Sequence, residues 1–243
     1  MDRHNLNQFY QELAMPVDLQ LSVPRAFQGP SRHRYSELDA PPAHWSFRFR
    51  ACKAVLDTIM AAIALPFIGF VACALLIINP FLNPGPIFFR QERLGQYRRP
   101  FLVWKFRTMR EAAKTTRPRS AEDALEVERI TPLGRLLRHS RIDELPNFIN
   151  VMNGEMTVIG PRPDSSDHAK QYLRSIPHYA YRYMVKPGIT GLAQVEAGYA
   201  EGTVATVQKA HYDQLYVETS CGRLDLWIAL RTAYVVLTGT GAK

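Results

Sequence analysis

Cationic side chains precede an adjacent pair of acids in this sequence. Arg135, Arg138 and Arg141 lead into Asp143 and Glu144. An ionised carboxylate among arginines can do two things with a phosphorylated substrate. It can hold a divalent cation, or it can attack phosphorus and form an acyl phosphate. These residue types in this spacing therefore indicate phosphoryl chemistry.

The same residues also admit a purely structural interpretation. Pro146 suits the first turn of a helix, where its missing N–H is not needed, so Asp143 is predicted as an N-cap. Glu144 would then face water, and the arginines would form a solvated or lipid-facing surface. Arg162, between two prolines in Gly160-Pro161-Arg162-Pro163, is either a rigid surface turn or a pre-positioned phosphate ligand. The local pattern leaves both alternatives open.

The elements that must position these residues are short. β-Rich runs at 87–91 and 101–106, separated by Gly95 and Pro100, predict a hairpin. Helical periodicity is found at 121–130, 133–139, 146–152, 165–175, 203–217 and 224–237. The predicted fold class is therefore mixed α/β and mainly helical, with a small β-hairpin and amphipathic helices in a cytosolic domain over residues 85–243.

An apolar segment at 55–78 precedes this domain, and no charged side chain occurs from 58 to 89. A helix of this length covers roughly 30 to 36 Å, enough for a hydrocarbon core of about 30 Å. Pro66 lies near its centre, where proline kinks or breaks a helix. Because basic residues flank both ends, charge favours neither side. The segment 46–84 is therefore either a kinked span or a re-entrant helix-break-helix with both ends in the cytoplasm.

Two charged residues mark the start of this segment. Lys53 and Asp57 are four residues apart, so we expect them to form an ion pair near the membrane interface. Residues 1–45 are proline-rich and show no persistent apolar period. They are predicted to form a poorly ordered leader.

Composition narrows the classes of function. The net charge of +8 predicts an anionic partner, which could be nucleic acid, phospholipid or a phosphorylated substrate. The three cysteines show no CxxC spacing, which excludes a disulfide framework and argues against a zinc site. The sequence also lacks a P-loop, a Rossmann glycine pattern, an HExxH motif and a nucleophile elbow.

Long stretches of the chain resemble the bacterial sugar transferase family. They are GPIFFRQERLGQYRRPFLVWKFRTM (85–109), RITPLGRLLRHSRIDELPNFINVMNGEMTVIGPRPD (129–164), KPGITGLAQV (186–195), KAVLD (53–57) and YDQLYVETSCGRLDLWIALRT (212–232). The resemblance covers about residues 48 to 243, and motifs this long in this order are highly specific. Members are monotopic phosphoglycosyl transferases that begin exopolysaccharide, capsule and glycoconjugate synthesis.

The resemblance implies a reaction. A sugar 1-phosphate would pass from a UDP-sugar to polyprenyl (undecaprenyl) phosphate at the cytoplasmic face of the bacterial inner membrane, with release of UMP. Asp143 matches the aspartate that attacks the β-phosphate and forms an aspartyl-phosphosugar intermediate. Glu144, with Asp143, would hold Mg²⁺. The resemblance also implies a monotopic membrane helix broken at Pro66.

Further site residues follow from the same resemblance. Arg138 and Arg162 match arginines of the family, which makes them candidates for phosphate binding, and Lys105 and Arg107 in the KFRTM stretch are further candidates. Asp213 matches an acid near the site whose role the resemblance leaves open. The implied partners are the UDP-sugar, the polyprenyl phosphate and inner-membrane lipid. The identity of the sugar and the formation of a homo-oligomer stay open.

Two alternatives compete with this interpretation. One is a membrane-tethered basic binding module, and the other is a family member that has lost catalysis. Nucleic acid is not expected as a partner, because the cations gather around an acidic pair that repels a polyanion. Binding of single strands would instead need aromatic side chains interleaved with the cations.

Overall fold

The computed structural model describes residues 38–110, 126–176, 178–197 and 203–238. The helices are α1 (Phe47–Leu82), α2 (Pro132–His139), α3 (Asn147–Met152), α4 (Ser166–Ser175), α5 (Leu192–Glu196), α6 (Thr203–Thr219) and α7 (Gly222–Thr238). The strands are β1 (Phe88–Leu94), β2 (Pro100–Phe106), β3 (Thr157–Ile159) and β4 (Gly188–Thr190). The protein is therefore mainly helical, as predicted. Most of the predicted leader, residues 1–37, lies outside the described residues.

β1 and β2 form the antiparallel hairpin that the sequence predicts. Phe88 pairs with Phe106 and Leu94 pairs with Pro100. The connection contains a 3₁₀ turn at Gln96–Arg98, in which Tyr97 has a left-handed φ of 56°. The two strands are also joined by their side chains, because Phe88 stacks on Phe106 with ring centroids 5.3 Å apart. The hairpin carries Arg93 on β1 and Lys105 on β2 towards the same region.

The sequence analysis missed a second pair of strands. β3 and β4 are parallel, and Thr157 lies opposite Gly188. Each strand has three residues, too few for an alternating pattern to be read from sequence. A Cβ atom on Gly188 would lie 2.2 Å from the backbone nitrogen of Gly160. A Cβ atom on Gly191 would lie 2.1 Å from the carbonyl oxygen of Gly160. Only glycine permits this approach, which fixes the segment that leads to Arg162.

The predicted helices at 133–139, 146–152, 165–175, 203–217 and 224–237 correspond to α2, α3, α4, α6 and α7. The prediction at 121–130 is different. Residues 111–125 lie outside the described residues, and the described remainder forms a 3₁₀ turn at Val127–Arg129. Ile130 forms a β-bridge with Met109, so this stretch is drawn towards the end of β2 and is not α-helical.

α1 is a continuous helix of 36 residues that passes through Pro66. The predicted break at Pro66 is therefore not confirmed. Ala61 and Ile68, on either side of this proline, are both buried against the same domain. Packing on both sides holds the two halves together although proline removes one backbone hydrogen bond. In the described chain, α1 is the one helix long and apolar enough to cross a membrane.

One stripe of α1 packs along the domain, and the opposite face is exposed. Ala61 contacts the cluster that contains Val103 and Val158, and Ile68 and Leu75 contact the cluster around Phe106. Only 17% of the most apolar window of α1 is buried. The exposed apolar residues include Val55, Leu56, Ile59, Ile63, Phe67, Phe70, Ile77, Ile78 and Phe81. A contiguous apolar face of this kind is typical of a membrane or protein contact.

The predicted ion pair between Lys53 and Asp57 is wrong. Lys53 Nζ instead donates to Asp225 Oδ2 on α7 at 2.7 Å. Asp57 accepts hydrogen bonds from Thr157 Oγ1 at 2.6 Å and from the backbone nitrogen of Val158 at 2.9 Å. Partners from the tertiary structure satisfy both charges better than a neighbour on the same helix. Both residues therefore tie the beginning of α1 to the domain.

Arg107 ties the other end of α1 to the domain. Its Nε donates to the carbonyl of Pro86 at 2.6 Å, its Nη1 to Met109 at 3.2 Å, and its Nη2 to the carbonyl of Asn83. Asn83 Nδ2 donates in return to the carbonyl of Arg107 at 2.9 Å. These contacts join the end of α1 to the end of β2.

Candidate active site

Asp143 and Glu144 lie in a 3₁₀ turn at Ile142–Glu144, between α2 and α3. Arg141 precedes the turn with a left-handed φ of 59°, which turns the chain sharply after α2. α3 has Pro146 at its N-cap position and no side-chain capping bond. The prediction that Asp143 caps this helix is therefore wrong, because the 3₁₀ turn separates its carboxylate from the amides of α3. The carboxylate of Asp143 is thus not used as a helix cap.

Asp143 is a buried carboxylate with an 8% exposed surface. Burial, followed by the negative charge of Glu144, raises the pKa of Asp143 above its usual value. The charges of Lys105, Arg138 and Arg162 act in the opposite direction. A carboxylate desolvated in this way, yet faced by cations, has the electrostatic setting of a reactive group.

Glu144 is the anionic centre of the site. Lys105 Nζ donates to its Oε1 at 2.8 Å, Arg162 Nη1 donates to its Oε2 at 3.0 Å, and Arg162 Nη2 donates to Oε1. Burial alone would raise the pKa of Glu144, but Arg162 and Lys105 outweigh it and hold the pKa well below its usual range. Burial lowers the pKa of Lys105 to about 8, although the negative charge of Glu144 acts to raise it. Glu144 thus fixes both cations beside Asp143.

Arg182 holds the backbone that presents Arg162. Its Nη2 donates to the carbonyl of Arg162, and its Nη1 donates to Asp164 Oδ2 at 2.5 Å. Its guanidinium also lies 4.7 Å from the ring centroid of Tyr179, whose hydroxyl donates to the same Asp164 carboxylate. Arg182 and Tyr179 are buried, whereas the side chain of Asp164 is partly exposed. This network sets the position of Arg162 without contacting the acidic pair.

Asp213 belongs to the Arg182 network and not to the acidic pair. It lies on α6 with a 2% exposed surface, and its Oδ2 is 3.0 Å from Arg182 Nη2. Burial raises the pKa of Asp213 to about 7, although Arg182 opposes the shift. Arg182 therefore lies between Asp213 and Arg162 and contacts both of them. Asp213 is in a position to orient Arg182.

Replacing Arg182 with methionine is expected to lower kcat/KM for the reaction at this site by about 10²-fold, because a small displacement of Arg162 misaligns the reacting groups. The matched control is Arg174→Met on the exposed surface of α4. Steady-state kinetics and a melting curve are measured for both variants at equal protein concentration. A folded Arg182→Met protein with the kinetics of the control would contradict the positioning role.

The other predicted binding residues divide into two groups. Arg138 Nε donates to Thr108 Oγ1 at 2.9 Å, and its charge lowers the pKa of Asp143, so Arg138 belongs with Lys105 and Arg162 around the pair. Arg107 is held by the backbone carbonyls at the end of α1. Arg107 therefore has a structural role at the end of α1, and its predicted phosphate contact stays a prediction.

Asp143 and Glu144 are the residues that could hold the predicted Mg²⁺. Among the described residues, no group of three or more His, Cys, Asp or Glu side chains could hold a metal ion. Glu144 Oε1 already accepts two donors and Oε2 accepts one, so Oε2 keeps one acceptor position. Mg²⁺ commonly takes only one or two carboxylates and completes its shell with substrate phosphates and water. Asp143 and Glu144 Oε2 fit that pattern.

A small cleft that opens to solvent adjoins these cations. Its lining includes Arg93, Lys105, Asn147, Arg162, Pro163 and Gly188. Sequence reasoning missed Arg93 and Asn147 as site residues. Arg93 reads as one of many cations in a strand, and Asn147 reads as a residue of a helix start. Their position within the stretches that resemble the family, 85–109 and 129–164, was the one sequence signal that could have indicated Arg93 and Asn147.

The model of the bacterial sugar transferase family matches residues 48–239. The chain belongs to this family. The match takes in almost all of α1, the acidic pair and the cleft. The shared sequence of bacterial sugar transferases therefore coincides with the part of the protein that builds the candidate site.

Curated relatives agree with this assignment. One is the UDP-N-acetylgalactosamine-undecaprenyl-phosphate N-acetylgalactosaminephosphotransferase of Aeromonas hydrophila, 38% identical over 79% of this chain and 45% of the relative. Two others are named UDP-glucose:undecaprenyl-phosphate glucose-1-phosphate transferase. The Escherichia coli protein is 36% identical, and the match covers 76% of this chain and 40% of the relative. The Caulobacter vibrioides protein is 38% identical, and the match covers 78% of this chain and 71% of the relative. The chain thus spans less than half the length of the first two relatives.

Proposed function

We propose that this bacterial sugar transferase moves a sugar 1-phosphate from a UDP-sugar to undecaprenyl phosphate and releases UMP. The names of the relatives support these substrate classes. The observation that carries the proposal is the buried Asp143 carboxylate, whose pKa is influenced by Glu144 and by the cations Lys105, Arg138 and Arg162. Cations of this kind stabilise the negative charge of a phosphoryl group in transfer.

Asp143 is the nucleophile of the proposed reaction. One carboxylate oxygen bonds to the β-phosphorus of the UDP-sugar while the bond to the oxygen bridging to the α-phosphate breaks. UMP leaves with that electron pair, and the sugar phosphate stays on Asp143 as an acyl phosphate. A phosphate oxygen of undecaprenyl phosphate then bonds to the same phosphorus, and the carboxylate of Asp143 leaves. The products are UMP and a sugar linked to the lipid through a diphosphate.

Glu144 has two roles in this proposal. It holds Lys105 and Arg162 by the contacts described above, which places their charges where the diphosphate binds. With Asp143 it would also hold Mg²⁺, which when bound supplies further positive charge to the phosphate oxygens. Because both cations remain on Glu144, substrate phosphates and water would provide most of the remaining metal ligands.

We also propose a monotopic arrangement in which both ends of α1 lie on the cytoplasmic side of the inner membrane. Lys53 near the start and Asn83 after the end both contact the same domain, through Asp225 and Arg107. In a straight perpendicular span, 30 residues of sequence would separate these contacts by roughly 45 Å, across a core of about 30 Å. Contacts at both ends of α1 support a helix that enters the cytoplasmic leaflet with its exposed apolar face and does not cross the bilayer. The candidate site would then lie near the lipid phosphates.

The topology proposal predicts a labelling pattern. In a background with Cys52, Cys73 and Cys221 replaced by serine, His44→Cys and Glu92→Cys should both react with an impermeant maleimide from the cytoplasmic side only. Both positions are exposed and flank α1. Phe70→Cys, on the exposed apolar face, is the control and should react from neither side. Labelling of residues 44 and 92 from opposite sides would restore a spanning helix.

The proposed function is tested by UMP release from a panel of UDP-sugars in the presence and absence of undecaprenyl phosphate. We expect UMP with at least one donor, and a lipid-linked sugar diphosphate only when the lipid is present. Titration of Mg²⁺ in the same assay tests the metal. Binding of the donors with no UMP from any of them would contradict the proposal and favour a catalytically inactive member.

A further inference from the structure

Arg93 adds a third cation to the cleft, and no carboxylate of the described residues forms an ion pair with it. Its Nη1 donates to the carbonyl of Pro163, and its Nη2 donates to Gln91 Oε1 at 2.8 Å. Both acceptors are neutral. Its Nε is buried and has no hydrogen-bond partner among the described residues. Arg93 is thus a cation with a donor that the rest of the described chain leaves unused.

The carboxylates whose charges reach Arg93 are already committed to other cations. Glu144 pairs with Lys105 and Arg162, and Asp164 pairs with Arg182. Burial, followed by the charge of Arg162, lowers the pKa of Arg93 to about 10. A partly buried cation with no carboxylate beside it is costly. A bound anion would remove both the repulsion and the unsatisfied donor.

Asn147 gives a second and independent indication at the same cleft. Its side chain is buried at the start of α3 and lines the cleft with Arg93 and Arg162. Its Oδ1 also has no hydrogen-bond partner among the described residues. A side-chain amide can present either an acceptor or a donor at such a position. An unused donor and an unused amide oxygen on opposite elements indicate that the cleft takes a polar ligand.

We propose that Arg93 and Asn147, together with Arg162, form a binding site for a phosphate monoester dianion. The guanidinium of Arg93 supplies the charge and a hydrogen bond from Nε. The amide of Asn147 either donates from Nδ2 to a phosphate oxygen or accepts at Oδ1 from a neighbouring hydroxyl. This inference rests on the proposed function only for the source of the dianion. That source is either the phosphate of the UMP product or the terminal phosphate of the lipid carrier.

Binding without turnover tests this site. Affinities of the purified full chain in detergent are measured by calorimetry for UMP against uridine, and for a short-chain polyprenyl phosphate against its alcohol. We expect Arg93→Gln to weaken at least one phosphate ligand by roughly 10- to 100-fold and to leave uridine and the alcohol unchanged. The matched control is Arg90→Gln on the same strand, whose guanidinium lies over Trp104 at 5.0 Å in an exposed position.

The ligand that is weakened identifies the source of the phosphate. Arg93→Lys keeps the charge without the planar fork and should show an intermediate loss, so it decides the question if Arg93→Gln does not fold. Wild-type affinity for both phosphates in a folded Arg93→Lys or Arg93→Gln protein would overturn the site. Because these measurements need no UMP release, loss of the proposed function and loss of this site are separate results.

Discussion

The Asp143→Asn variant is expected to lose UMP release by roughly 10⁴- to 10⁶-fold, the scale seen when a covalent nucleophile is removed. Asparagine keeps the shape of the side chain but its amide does not attack phosphorus. Membrane association should be unchanged, because the exposed apolar residues of α1 and not Asp143 provide the lipid-facing surface. The measurement is the initial rate of UMP release from membranes matched for protein content.

The matched control for this prediction is Asp167→Asn on α4, an exposed acid in the first turn of that helix. It removes the same charge from the same domain at a surface position. Its rate should stay within about twofold of the wild type, since most exposed substitutions perturb a protein only slightly. A folded Asp143→Asn protein with the rate of Asp167→Asn would contradict the nucleophile assignment.

The Glu144→Gln variant is expected to lose both stability and activity. Its two cationic partners, Lys105 and Arg162, would be left without their shared counter-ion, and the free energy of unfolding should fall by about 3 kcal/mol. Activity should fall by about 10²-fold or more, because the cations that stabilise the phosphoryl group are no longer held in place. The response to Mg²⁺ should also shift. The measurements are a thermal melt in detergent and UMP release at increasing Mg²⁺.

The pH dependence of stability provides a separate check on Glu144. Since the pKa of Glu144 is held well below its usual range, the unfolded chain binds its proton at higher pH than the native protein. The stabilisation by Glu144 is therefore fully present above about pH 4.3, the ordinary glutamate pKa, and is lost as pH falls through the lowered native value. The stability difference between wild type and Glu144→Gln should shrink over that acidic range. A difference independent of pH would contradict an ionised Glu144.

Sequence reasoning could predict the elements and the acidic pair because these depend on local signals. The hairpin strands are rich in β-forming residues and are separated by turn residues, and the α2 and α3 segments carry helical periodicity. The link of Lys105 and Arg162 to Glu144 joins residues 39 and 18 positions apart. That proximity followed from resemblance to a family and not from spacing.

The failures share one physical cause, which is that tertiary partners replaced local ones. Lys53 and Asp57 have the spacing of a helical pair, but α7 and β3 supply their actual partners. Pro66 should interrupt a free helix, yet α1 is packed against the domain on either side of it. The sequence could not distinguish Arg93 from the other basic residues of β1. Arg93 differs from them in its hydrogen-bond acceptors, which are both neutral and are known only from the structure.

The central claim is tested most directly by trapping the covalent species on Asp143. Purified protein is mixed with a UDP-sugar in the absence of undecaprenyl phosphate, quenched and analysed by peptide mass spectrometry. We predict a mass increase equal to one phosphosugar on the peptide that contains Asp143, its loss in Asp143→Asn, and its discharge when undecaprenyl phosphate is added. UMP release with no adduct on that peptide, together with normal turnover by Asp143→Asn, would contradict the account.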